Sequence, residues 1–164
     1  MTVPHTRISV GVVVERRKAK SPWQDVVWRP VAVLGGQPDA APWTTLSSDG
    51  EVSMFYAGSA EIELYRSETG NYLDNLNCGA PSIWISLHAT DGDPPYRIAA
   101  VTADSAEGES LAGVGTAIVE AVAMPDPVRE AIAAFVLQHH ERCGAGVRLR
   151  RSRADEAYDR AHRK

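Results

Sequence analysis

Cysteine is scarce in this 164-residue chain: only Cys78 and Cys143, far apart in sequence. One bridge could not staple a small fold, which excludes the disulfide-framework class, and both are read as reduced thiols in a cytoplasmic protein. Long hydrophobic runs are missing too. The longest plainly apolar run, Ala131 to Leu137, has seven residues, against about 20 for a membrane-spanning helix, so no membrane association is expected. The N-terminal apolar run is followed by basic residues, the reverse of a secretory signal, and export is not expected. There is no internal repeat and no catalytic or cofactor motif of high specificity. The Gly-Gly of the loop Gly35 to Trp43 and the GVGT of Gly113 to Thr116 are too short to cradle a phosphate, and no cofactor is expected.

A continuous basic surface is also lacking. Net charge is −4, and residues 147–164 hold seven Arg or Lys against three acids. That surplus of four leaves −8 on the rest of the chain. An acidic body argues against nucleic acid as the ligand, because phosphate contacts need clustered cations. The division expected is one domain over residues 1–146 and an Arg-rich charged tail over 147–164, disordered or folded only on a partner.

What is present is a globular composition, 44% hydrophobic and 23% charged, rich in β-branched and aromatic residues in its first half. Strands are expected at Ile8 to Glu15, Val26 to Leu34, Val52 to Ala57 and Ile62 to Arg66. In the second, Pro30 cannot donate to a ladder, which implies a sheet edge or a bulge. Ser67 can cap a short helix through Tyr72 and Leu76, weakened by Gly70. PSIWISLHA and Ile98 to Val101 form a hairpin around an acidic loop. Asp104 or Ser105 opens a second short helix closed by Gly113, and Ile118 to Ala123 is a further strand. Asp126 caps the clearest helix, with Pro127 at its first position and Gly144 at its exit. Its Val128, Ile132, Phe135, Val136 and His139 share one face. The fold expected is α+β: a mostly antiparallel sheet of six to seven strands, open to barrel-like closure, with the C-terminal helix packed on it and one or two short helices.

Several constellations are candidate sites. In the connector ERRKAKSPWQDVVWRP, Arg16, Arg17 and Arg29 with Lys18 and Lys20 can form an anion-binding or docking edge, and Trp23 and Trp28 can anchor a partner. The bland alternative is a solvated connector whose Trp residues fill the core. Arg66 with Glu68, near Glu61 and Glu63, reads as a structural ion pair before an acid/base site. His139 and Cys143 fall on one helix face and, with Cys78 or His88, offer a metal-ligand set; no second paired motif accompanies them, so no metal is assigned. Ser86, His88 and Asp91 lack a nucleophile elbow and are not read as a triad.

GVVVERR, SPWQDVVWRPVAVL, YRSETGNYLDNL and PSIWISL, in this order over residues 8–142, resemble the bacterial domain-of-unknown-function family DUF3305. The residues that carry the resemblance are Glu15, Arg16, Arg17, Trp23, Trp28, Pro30, Glu68, Tyr72, Asn75, Leu76 and Pro81. Its members are typically encoded beside molybdenum- or tungsten-dependent formate dehydrogenases and their maturation factors. The resemblance therefore implies a non-catalytic accessory protein that binds a dehydrogenase subunit or maturation factor, and it supplies no catalytic residue. A metal- or cofactor-delivery protein using Cys and His is the alternative, and a small hydrolase or transferase is the third.

Overall fold

The computed structural model describes residues 4–23, 25–113 and 115–140. Its strands are β1 (Thr6–Lys18), β2 (Val26–Leu34), β3 (Thr44–Ser48), β4 (Val52–Leu64), β5 (Ser82–Ala89), β6 (Tyr96–Thr102) and β7 (Ile118–Ala123). Helices are α1 (Thr69–Leu76), entered through a 3₁₀ turn at Arg66–Glu68, α2 (Ser105–Ala112) and α3 over residues 126–140. The strands form two antiparallel sheets, ordered β2-β1-β4-β3 and β6-β5-β7. The α+β expectation holds, and barrel-like closure does not: β2 lies alongside β7, and β4 beside β6, without ladder bonds between the sheets.

One hydrophobic cluster fills the space between the sheets. Alternate residues of β1, Val10, Val12 and Val14, bury completely with Ile83, Ile85 and Leu87 of β5, as the period of two along a strand requires. From the other face of β1, Gly11 accepts the loop after β2; an added Cβ would come within 3.0 Å of the Tyr56 ring and 3.2 Å of Gly36 O and Pro38 Cδ. The face expected for α3 is the buried one: Val128, Ile132, Phe135, Val136 and His139 are all inside. Pro30 sits on an edge strand and also opposite a register shift at Val13/Val14, so both expected consequences of its missing donor occur.

Local readings needed correction in four places. Val52 to Ala57 and Ile62 to Arg66 are one strand, not two, because Gly58 carries the chain through at φ +134° beside a bulge opposite Val12/Val13. β3 is not among the expected strands; its five residues are all exposed, and with no buried face it has no alternation to detect. Ser67 does not cap α1: its hydroxyl bonds Glu68 Oε1, and the first turn is 3₁₀ without any side-chain cap. In α3 the first helical bond runs from Arg129 N–H to Pro125 C=O, so Pro125 holds the cap position and Asp126, the expected cap, is the first helical residue, with Pro127 second. Gly144, Cys143 and the Arg-rich tail lie outside the described residues. By contrast, the Asp104 carboxylate accepts from Ala106 and Glu107 N–H, a true N-cap of α2, and Gly113 closes that helix.

Two buried polar side chains join α1 to the sheets. Asn75 donates to Ser82 C=O and Ala103 C=O and accepts from Ser82 N–H. Tyr72, fully buried, accepts from Tyr65 N–H, and burial pushes its hydroxyl up to about 12. Among the described residues no helix is long and apolar enough to cross a membrane.

Candidate functional site on the first hairpin

β1 and β2 pair Glu15 with Arg29, Arg16 with Trp28 and Arg17 with Val27. Because side chains alternate along a strand, this register sorts the connector's residues onto two faces. Arg16 continues the core-facing row of Val10, Val12 and Val14, while Glu15, Arg17, Arg29 and Val27 face outward. The single basic rim of Arg16 and Arg17 suggested by composition is therefore divided between two environments.

On the inner side, Arg16 caps an aromatic cluster that closes one end of the core. Its Cζ lies 5.6 Å from the Trp28 ring centroid and 5.2 Å from that of Phe55, within cation–π range. Trp28 stacks on Phe55 at 5.7 Å and meets Trp43 and Tyr96 at 6.0 and 6.1 Å. Trp43 is held at φ +66°, a left-handed conformation that costs a bulky residue about 1–3 kcal/mol. Its ring contacts and the bond from its N–H to Tyr56 C=O fix it there. Trp28 thus packs against the core, half-buried.

On the outer side, Glu15 is only 2% exposed although it is charged. Arg17 donates to its Oε1 from Nε (3.1 Å) and Nη2 (2.7 Å), and Arg29 donates to Oε2 from Nε (2.8 Å). The Arg29 hydrogen bond, helped by Arg17 and opposed by burial, holds the carboxyl below its usual range; the same bond raises Arg29. The two guanidinium side chains remain 57% and 53% exposed. They line, with Lys18, Ala19, Lys20, Ser21 and Val27, an open groove of about 570 Å³. The loop that forms its wall carries Trp23, which is 89% exposed and so does not fill the core.

The other candidates are not brought together. Arg66 bonds His5 Nδ1 and forms no ion pair with Glu68 among the described residues; Arg7 is the residue that reaches Glu61 and Glu63. His139 is buried in edge-on contact with His5 and tilted against Phe135, whereas Cys78 is exposed. Among the described residues no three His, Cys, Asp or Glu gather as a metal site, and Cys143 lies outside them. The Ser86 hydroxyl is buried without a partner among the described residues, so His88 does not activate it. Glu15 was missed as a site residue, since nothing in ERR marks its carboxylate as the buried member. Its one sequence signal was its place in the resemblance.

A profile described as a protein family of unknown function, DUF3305, matches residues 9–150. No curated protein and no solved structure matches the chain.

Proposed function

The chain belongs to the DUF3305 family, and from that premise we propose that it is a non-catalytic accessory protein that docks a protein partner through the tip and outer face of its first hairpin. The observation that carries this reading is Trp23, 89% exposed on the loop that walls a cationic groove. The exposed indole and the exposed arginines of the adjoining strands are the residue types that dominate interface energies. Exposed Val26 and Val27 extend the apolar part of this surface. Trp28 contributes through the fold, by supporting the strand that presents Arg29, and Arg16 through the aromatic cluster.

The gene context typical of the family resembled directs the search for the partner to molybdenum-dependent formate dehydrogenase, its subunits and its maturation factors. The test is affinity capture of the tagged chain from its native host grown with formate. Recovery of a dehydrogenase subunit or maturation factor by the native chain and its loss in Trp23→Ala, with the variant folded by circular dichroism, is the expected result. Recovery unaffected by Trp23→Ala rejects the hairpin, and recovery of neither protein from cells that contain the enzyme rejects the dehydrogenase system.

A further inference from the structure

We propose that the groove recognises carboxylates, so that the partner's docking element is an acidic peptide segment seated on Arg17 and Arg29. This deepens the docking reading of the same surface and rests on it. Of each guanidinium's fork of donors, Arg17 commits Nε and Nη2 to Glu15 and Arg29 commits Nε alone. The Nη1 group of Arg17 and both terminal nitrogens of Arg29 have no other hydrogen-bond acceptor among the described residues, on side chains more than half exposed. Guanidinium forks match carboxylates bidentately. Here a buried carboxylate behind them fixes both forks, which lowers the ordering cost of binding.

Charge decides the class of anion. Lys18 and Lys20 join the two arginines around the groove, with Glu15 behind it and Glu120 of β7 acting on Arg29. The groove is locally positive on a body that is net negative. A short acidic segment gains this local field, whereas a long polyphosphate backbone would extend beyond it over a body of net negative charge. Val27 and Ala19 on the groove wall, and Trp23 on its loop, suit an apolar residue among the acids.

Glu15 is assigned a positioning role, which separates geometry from charge. Glu15→Gln adds one unit of positive charge but leaves Arg17 or Arg29 facing an amide N–H₂. If Glu15 orients the arginines, binding of an acidic peptide weakens; if it merely neutralises them, binding strengthens.

The experiment is fluorescence anisotropy with the full chain and a fluorescein-labelled oligoglutamate peptide carrying one leucine, with labelled oligothymidylate as the phosphate probe. Expected are salt-sensitive peptide binding, weaker oligothymidylate binding, and a loss of about tenfold or more in Arg29→Lys, which keeps charge but not the fork. Glu15→Gln should weaken binding by about three- to tenfold. Absence of peptide binding, tighter oligothymidylate binding, undiminished affinity in Arg29→Lys or tighter binding in Glu15→Gln each overturns the proposal. Arg29→Lys retains the charge beside Glu15 and keeps the test open if Glu15→Gln fails to fold. Cellular capture that depends on Trp23 but not on Arg17 and Arg29 would leave the docking reading standing and remove this one. Peptide binding without capture would leave carboxylate recognition by the groove standing and reject the dehydrogenase system as the source of the partner.

Discussion

Glu15 and Glu107 are displaced in opposite directions by their surroundings. Arg29 and Arg17 hold the Glu15 carboxyl below its ordinary 4.5, so its contribution to stability is present above that value and is lost as pH falls through the lower folded one. Glu107, on the partly exposed side of α2, is raised above 4.5, first by desolvation and then by Asp104, Glu63 and Glu68, against the Thr102 hydrogen bond. Its ionised form therefore opposes folding at neutral pH, and that penalty fades on acidification. Urea unfolding at pH 7 should show Glu15→Gln destabilised by roughly 1–2 kcal/mol. Glu107→Gln should be stabilised by no more than about 0.5 kcal/mol, because solvent screens an exposed group. Both differences should shrink at pH 3.5; a Glu15→Gln deficit that persists there would mean the ion pairs are not its origin. Neither carboxylate stands out in the sequence from the others around it, since Arg29 reaches Glu15, and Glu63 and Glu68 reach Glu107, only through the folded arrangement of strands and helices.

At the scale of elements, the two helical glycines have opposite meanings. Gly70 in α1 has open space where a Cβ would go, so Gly70→Ala should raise stability by about 0.5–1 kcal/mol through backbone entropy alone. Gly108 in α2 lies against Trp84, whose ring atoms would be 2.3–2.7 Å from an added Cβ. Gly108→Ala should therefore cost about 1–3 kcal/mol or more as the helix is forced off β5. Thermal unfolding of the pair checks both signs, and a stabilising Gly108→Ala would refute the close packing. The cost of Gly70 is readable from helix propensity, whereas the need for Gly108 depends on Trp84 of β5 lying against it. The same contrast separates β2, found where its Val-rich run and Pro30 predicted, from β3, whose exposed TTLSS carries no pattern.

For the molecule as a whole, both sheets and α3 share one continuous cluster in which Ile132 is fully buried. Ile132→Ala should cost about 2–5 kcal/mol, and the described fold should lose stability as one unit. Intrinsic tryptophan fluorescence, reporting Trp28, Trp43 and Trp84, and far-UV circular dichroism should give coincident urea transitions in the native chain and the variant. Separate transitions would show that α3 and the second sheet unfold independently. This coupling also explains the hairpin: its inner row is tied into the core through Trp28 and Arg16, while its outer row presents the arginines to solvent.

Local pattern in the sequence determined the α+β class, most of the strands, a short helix opened at Asp104 or Ser105, the buried face of α3, and an edge or bulge at Pro30. These follow from period, capping chemistry and the missing donor of proline, all set within a few residues. Only the tertiary structure decided that the sheets pack without closing, that Gly58 continues a strand, and that Arg16 and Arg17 part company. It alone made Glu15 the buried carboxylate between Arg17 and Arg29. Those outcomes depend on register between strands, and register is fixed by which face the assembled core covers.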